Sequence, residues 1–460
     1  MAIPLWSQTD NPPAQPAAPA YGASDKNSAP DSSQDNSVAP AVPDDRMLTP
    51  PVVSGVNYPT ALTSEGRSNY LRAGLLFTGA YSDNAVAAAN GGAVSDVSYS
   101  VAPTLALDKT TERLHWILNY APGFTFYQRE TGRDEVDQNA SISLQYRLTP
   151  HVNFTASDVF QKSSSAFNNF DQVPDGTVSG GTQGPNFTIV APIANLLRNS
   201  ANVGINYQFS LNGMIGASGS FSNLHYPDPA QVPGLFDSAT QGGSVYYSIR
   251  ASKLNYFGVT YQYSRLLSYA TGGNDETQTH AILFFYTLYP STHLSISFFG
   301  GPQYSDTVQP PSPPLNLVLP ASKAWSPAVG GSLSWQGRFN SLAVSVSHII
   351  SGGGGLVGAV KQDTASLSGR QQITRTFSAS LGGGYSQNDI LAGVISGGNS
   401  GHSLSATASL QQRLGQRMDL QVGYTRLHQA YSNVAVLSTA PDTNREYISI
   451  SYQFSRPLGR

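Results

Sequence analysis

Large apolar side chains alternate with polar ones along most of this chain. The pattern is clearest near the C-terminus, where the even positions are Ile448, Ile450, Tyr452 and Phe454 and the odd positions are Tyr447, Ser449, Ser451 and Gln453. A period of two places successive side chains on opposite faces of a β-strand. The pattern recurs about eighteen times after residue 69, with almost no helical periodicity. The chain is therefore predicted to be all-β.

The connections between the predicted strands alternate between short and long. Short turns such as 148–150 and 210–213 alternate with long segments such as 162–199, and long loops are also predicted at 268–277 and 352–362. This alternation is typical of an up-and-down barrel, which has an even number of strands and whose short turns all lie on one side of a membrane. We therefore predict a closed antiparallel transmembrane β-barrel of about 18 (16–18) strands, with both termini on the short-turn side.

Closure of the sheet follows from the properties of hydrocarbon. Every backbone N–H and C=O must be paired within the protein there, and a sheet achieves this only by removing its edges. The apolar face of each strand is then expected to contact lipid, with aromatic side chains at the two interfaces. The face that carries Ser, Thr, Gln and Asn is expected to line a lumen too wide for side chains to fill.

Residues 1–66 differ in composition from the rest of the chain. They hold 11 of the 30 prolines, together with many Ala, Ser, Asn and Asp residues. Such a segment cannot bury enough apolar surface to offset its ordering entropy, so we predict a disordered segment at 1–66 before a barrel domain at 67–460. We interpret it as a periplasmic spacer, with docking to a periplasmic partner as the alternative. The start shows no complete signal peptide, which we interpret as missing or removed.

Composition narrows the chemistry. Charged residues make up 12 % of the chain and the net charge is −3, so no nucleic-acid partner is expected. Cysteine is absent, which excludes disulfides, thiol catalysis and Cys-ligated metals. The mean hydropathy of −0.21 does not argue against a membrane barrel, because its two alternating faces average out.

Catalytic motifs are missing from the sequence. The eight histidines are scattered and none has the H-E-x-x-H spacing of a metal site. No G-x-S-x-G, P-loop or dinucleotide fingerprint occurs. We therefore expect neither an enzyme, nor a cofactor, nor a metal site.

In its strand pattern the chain resembles the Gram-negative outer-membrane β-barrels of the porin-like class. The resemblance covers about residues 69–460 and rests on strand ends such as 146–150 and 207–210 and on the terminal aromatic strand. It implies a bacterial outer-membrane location with periplasmic termini, contact with outer-membrane lipid, and assembly by the barrel-assembly machinery. A homotrimer is common in the class. The chain departs from the class pattern after Phe454, because six residues follow this aromatic residue.

Candidate pore-lining residues are charged and amide side chains at strand positions that alternate with the apolar, lipid-facing ones and so are predicted to face inward. They are Arg72, Arg147, Arg250, Arg413, Gln145, Gln208, Gln411 and Asp419. In the porin-like class one long loop often folds inward as a constriction. The longest loop is the candidate here, through Asp171, Asp175 and Arg198, with an outer cap as the alternative. With so few charges in the lumen, weak ion selectivity is expected.

These features predict an outer-membrane channel for passive diffusion of small polar, neutral solutes. One alternative is a barrel that assists export or secretion, for example of polysaccharide, through a periplasmic partner of residues 1–66. The other is a surface structural or adhesin barrel without an open pore.

Overall fold

The fold was determined as a computed structural model that describes residues 69–85, 93–164, 194–228, 235–270, 273–291, 293–308, 322–354, 357–391, 400–415, 417–431 and 442–457. Its strands are β1 (Tyr70–Ser82), β2 (Asp96–Thr110), β3 (Leu114–Tyr127), β4 (Glu135–Thr149), β5 (Val152–Ser163), β6 (Leu196–Gln208), β7 (Gly213–His225), β8 (Asp237–Arg250), β9 (Asn255–Ala270), β10 (Gly273–Ser291), β11 (Leu294–Val308), β12 (Ser322–Gln336), β13 (Asn340–Gly353), β14 (Val357–Gln372), β15 (Phe377–Ile390), β16 (Ser400–Arg413), β17 (Met418–Tyr431) and β18 (Asp442–Pro457). Between β3 and β4 lies a 3₁₀ turn, Thr131–Arg133. Within the described ranges no helix has the length and apolarity needed to cross a membrane.

The sheet closes on itself. Each strand pairs antiparallel with the next one in the chain. The last strand, β18, pairs with β1 from Tyr70↔Pro457 to Ser82↔Arg445. The predicted closed antiparallel barrel of eighteen strands is confirmed. The predicted disordered segment 1–66 lies outside the described residues.

Two of the predicted long loops are wrong. At 268–277 the strands continue, because β9 runs to Ala270 and β10 begins at Gly273. Gly273 has a φ of 133°, a conformation open to glycine that allows a tight connection. At 352–362 the strands also continue, since Gly353 pairs with Val357 across a register shift.

The outer face is apolar, and adjacent residues show how sharply the two faces differ. Phe298 is 57 % exposed, whereas its neighbour Phe299 is 5 % exposed. Outward residues on other strands, such as Phe284 and Val245, are also exposed. Toward the long loops, outward aromatic rings contact one another, for example Tyr304 and Trp325 with centroids 5.2 Å apart. The outer surface therefore has the apolar band and aromatic border of a lipid-facing barrel.

Pairs of basic and acidic side chains lie outward between this band and the long loops. The pairs are His225–Asp237 at 2.6 Å, Arg265–Glu276 at 2.8 Å, Lys323–Asp306 at 3.5 Å, His348–Asp363 at 2.6 Å and His428–Asp442 at 2.8 Å. Each pair joins neighbouring strands near their long-loop ends. They mark where the apolar surface gives way to water.

Five inward aromatic rings lie opposite glycines. The cross-strand pairs are Tyr246–Gly216, Phe285–Gly258, Phe299–Gly330, Tyr431–Gly401 and Tyr447–Gly423. In each pair the ring occupies the space that a Cβ on the glycine would need. The glycines thus let bulky rings pack directly against the inner wall of the barrel.

The inner face is polar over most of the barrel but not everywhere. A buried apolar cluster joins strands β7, β8, β10, β11 and β12 and comprises Met214, Tyr246, Ala281, Leu283, Phe285, Phe299 and Ala328. Tyr256 and Ile349 pack against it. The expectation of a lumen lined throughout by Ser, Thr, Gln and Asn is therefore wrong along this wall.

Candidate pore

The eight predicted pore-lining residues lie on the inner face, since they alternate with exposed outward side chains on their strands. They are Arg72, Arg147, Arg250, Arg413, Gln145, Gln208, Gln411 and Asp419. Gln208 is 4 % exposed, so it contributes little surface to a lumen, whereas the Arg147 side chain is exposed. Their role in solute passage stays a prediction.

Two of these residues stabilise a turn. The guanidinium of Arg250 donates from Nε to Asn212 Oδ1 at 3.1 Å and from Nη2 to the Leu211 carbonyl at 3.3 Å. Gln208 Nε2 donates to the Ser210 carbonyl at 3.0 Å. Both side chains therefore hold the connection between β6 and β7 at the short-turn end of the barrel.

Another group joins β14, β15, β16 and β17 at the same end. Arg413 Nε lies 3.9 Å from Asp419 Oδ1, and Ser378 Oγ donates to Gln411 Oε1 at 3.5 Å. Arg370 lies on the inner face of β14 within electrostatic reach of Arg413. Arg370 is not among the pore-lining residues predicted from the sequence. Its position alternates in step with Ser366 and Ser368 on the same strand, which could have identified it as inward-facing.

The two ends of the barrel differ in charge. Inward arginines at the short-turn end are Arg72, Arg147, Arg250, Arg370 and Arg413. At the long-loop end the inward acids serve mainly as anchors. The Asp96 carboxylate accepts the backbone N–H groups of Arg129 at 3.1 Å and Glu130 at 3.0 Å. The inner face at the short-turn end therefore carries more arginines than acids, the inward acids there being Asp108 and Asp419.

Of the three residues predicted to form a constriction, the structure describes only Arg198. Asp171 and Asp175 lie outside the described residues. Arg198 belongs to β6, where it pairs with Gln161 of β5, so it is a wall residue and not a loop residue. The strand alternation begins at Leu196, a few residues earlier than the sequence interpretation assumed.

A different segment enters the barrel. The ladder between β12 and β13 ends at Val329↔His348, although β12 begins at Ser322. Beyond that point β13 continues to pair with β14, as in Ser351↔Val360. Residues 349–354 and 357–360, together called the inward hairpin below, thus leave β12 while they stay paired to each other.

Contacts with distant strands show where the inward hairpin goes. Tyr226, which follows β7, donates its hydroxyl to the Gly354 carbonyl at 2.7 Å. Ile350 has the outward parity of Val346, yet it is 6 % exposed where Val346 is 50 % exposed. Ile350 and Ala359 pack against Leu266, which lies on the inner face of β9. The hairpin therefore turns into the barrel and lies against the inner wall of β9–β12.

The inner side chains along this route are covered. Thr277 is 2 %, Ser305 is 1 % and Thr307 is 4 % exposed, although all three lie on the inner parity of β10 and β11. The inward hairpin occupies part of the lumen near the long-loop end.

The comparisons with known proteins gave distant structural likenesses. No protein-family model and no curated protein matches the chain. Among solved structures, the chain is similar to Pseudomonas aeruginosa OpdK with vanillate (TM-score 0.41, 7 % identity, 84 % of this chain and 99 % of that chain). It is also similar to Acinetobacter baumannii OccAB4 (0.41, 8 %, 85 % and 99 %) and to the Neisseria meningitidis FrpB iron transporter, F5-1 variant (0.41, 9 %, 84 % and 83 %). Likeness at this level carries no argument about function.

Proposed function

We propose that this chain is a bacterial outer-membrane channel for passive diffusion of small polar, neutral solutes. The observation that carries the proposal is the closed barrel with an exposed apolar outer face and a mainly polar inner face. Soluble monomers rarely expose apolar patches larger than a few hundred square ångströms. A closed barrel in lipid needs such a face, because its exterior meets hydrocarbon and its backbone has no edge.

The preference for neutral solutes is supported by how the inner charges are held. Arg250 is held by a turn, Arg413 lies near Asp419, and Asp96 anchors a loop. Charges engaged in this way give a passing ion little preference. The arginines at the short-turn mouth add only a weak bias toward anions.

The orientation follows from the turn lengths. Tyr70 pairs with Pro457. The N-terminal end of β1 and the C-terminal end of β18 therefore both lie at the short-turn end of the barrel. In an outer-membrane barrel short turns are periplasmic, which would place residues 1–66 where a periplasmic partner could reach them. Insertion would require the barrel-assembly machinery, and a homotrimer remains part of the proposal for the assembled state.

Conductance in a planar lipid bilayer tests the channel. The full-length refolded protein is expected to give stable current steps with weak anion preference, and deletion of residues 1–66 is expected to leave the step size unchanged. A folded barrel that inserts but passes no current would contradict the channel and favour the structural or adhesin alternative. If deletion of residues 1–66 abolished binding to a periplasmic partner but left the current unchanged, the export alternative would be favoured.

A further inference from the structure

Four inner side chains form a row across β9–β12, next to the buried apolar cluster against which Ile349 of the inward hairpin packs. They are Gln262 of β9, Ala281 of β10, Gln303 of β11 and Ser326 of β12. Ala281 pairs with Gln262 on one side and with Gln303 on the other, and Gln303 pairs with Ser326. Adjacent strands lie about 4.8 Å apart, so the row from Gln262 to Ser326 extends for about 14 Å.

The polar members of this row carry buried atoms whose hydrogen bonds are unmade. Across the part of the chain that the structure describes, nothing hydrogen-bonds Gln262 Nε2, Gln303 Oε1 or Ser326 Oγ, and all three atoms are buried. Gln303 is 6 % and Ser326 is 8 % exposed. Buried polar groups in proteins are nearly always hydrogen-bonded, so three at one level require a reason. Together they offer a donor, an acceptor and a hydroxyl, which can be either.

The surroundings of the row define the kind of molecule that would satisfy it. The inner positions one step away along each strand are uncharged, namely Thr260, Ser264, Thr279, Leu283, Gly301, Ser305, Ala324 and Ala328. Toward the short-turn end the row borders the buried apolar cluster through Leu283 and Ala328. A charged ligand would find no counter-charge here. A neutral molecule with several hydroxyls and an apolar flank would match both the row and its border.

We propose that Gln262, Gln303 and Ser326 bind a neutral polyhydroxyl solute of the oligosaccharide class, and that the inward hairpin closes over it. The inference deepens the proposed channel function and rests on it for the route by which a solute reaches the row. Binding itself depends only on the row and its cover.

The cover is held in a way that allows it to open. Its contacts with the inner wall include the Tyr226–Gly354 hydrogen bond, the apolar contacts of Ile350 and Ala359 with Leu266, and the packing of Ile349 against the buried apolar cluster. Gly352, Gly353 and Gly354 follow one another in this segment, and glycine can absorb a change of backbone angles at little steric cost. Burial raises the pKa of Tyr226 above its usual range, so its hydroxyl keeps the proton that it donates. Opening would break the Tyr226–Gly354 hydrogen bond and separate these apolar contacts.

The first experiment measures maltotriose binding to the refolded full chain by calorimetry and by blockade of single-channel current. Gln303→Leu and Ser326→Ala are each expected to weaken binding about threefold to tenfold, as loss of one hydrogen bond would. Both variants are expected to fold. The polar atoms that they remove make no hydrogen bond within the described residues, so no partner group is left unpaired. Ser380→Ala, on the inner face of β15, is the control and should leave binding unchanged.

The second experiment tests the cover. Tyr226→Phe removes only the hydroxyl that bonds Gly354 and keeps the ring against Ala194 and Leu235. It is expected to raise the association rate of maltotriose about threefold to tenfold, since the closed hairpin loses one hydrogen bond. An unchanged association rate would show that the hairpin is not a cover for the row.

The outcomes separate this inference from the channel. Conductance without maltotriose binding, or binding that Gln303→Leu and Ser326→Ala leave unchanged, would overturn the row as a binding site while the channel stands. Binding that both variants weaken, in a protein that conducts no current, would support the row and contradict the channel.

Discussion

Arginine in place of Leu381 is expected to destabilise the barrel in lipid by about 2–4 kcal/mol, the cost of a basic side chain on the lipid face near the bilayer midplane. Leu381 is 54 % exposed on the outer face of β15. On that face it lies between Phe377 toward the short turns and Tyr385 toward the long loops, where the Tyr385 ring stacks with His402. The measurement is the free energy of unfolding in lipid vesicles, by denaturant titration followed through tryptophan fluorescence.

The neighbouring residue provides the matched control. Ser380 lies on the inner face of β15, is exposed, and shares a hydrogen bond of 2.7 Å with Ser409. Ser380→Arg is expected to cost no more than about 1 kcal/mol, because its guanidinium reaches water in the lumen and only one hydrogen bond is lost. If the two variants had equal effects, or if Ser380→Arg were the more harmful one, the assignment of outer and inner faces would be wrong.

Alanine in place of Gly401 is expected to destabilise the barrel by about 1–3 kcal/mol, as overpacking of a close-packed interior does. An added Cβ would overlap the Tyr431 ring directly opposite. That ring cannot move freely, since its hydroxyl accepts a hydrogen bond from Asn388 Nδ2 at 2.9 Å. The free energy of unfolding in vesicles measures the effect.

Gly382→Ala is the control for this substitution. Gly382 also lies on an inner strand face, but a Cβ there meets nothing within 4 Å. It is expected to be neutral or slightly stabilising, because alanine loses less backbone entropy on folding than glycine does. A Tyr431→Ala background should remove most of the Gly401→Ala penalty. Equal penalties at both glycines would contradict the ring-over-glycine packing.

Strand number, closure and face assignment could be predicted from the alternation alone. A period of two fixes which side chains share a face, and one buried or lipid-facing side is enough to fix the register. Thus Ile448, Ile450 and Tyr452 lie outward and Ser449 inward, as the sequence indicates. This prediction succeeds because it needs only the order of apolar and polar residues within each strand.

The inner apolar cluster corresponds to a recognisable pattern in the sequence. Residues 281–286 are apolar on both parities, which is typical of a strand whose two faces are both removed from water. In the structure Ile282 is 48 % exposed on the outside and Leu283 is 2 % exposed on the inside. The run therefore indicated that something covers the lumen side of β10.

The inward hairpin and the polar row could not be predicted in the same way. The four glycines at 352–355 favour a loop by composition, but whether that loop points outward or into the barrel depends on contacts with Tyr226 and Leu266. Gln262, Gln303 and Ser326 come from three separate strands, and only the cross-strand register brings them to one level. The period of side chains within one strand does not predict contacts between residues that are far apart in the sequence.

The most direct test of the membrane-spanning barrel is a single-cysteine scan along β16, from Leu404 to Leu410, in a chain whose natural cysteine count is zero. Each variant is reconstituted in vesicles, and its thiol is tested with a water-soluble reagent and with a nitroxide quencher attached to lipid chains. The barrel predicts an alternation, with Leu404, Ala406, Ala408 and Leu410 reached from lipid and Ser405 and Thr407 reached from water, while the buried Ser409 is reached from neither side. Uniform access from water along the strand would contradict it.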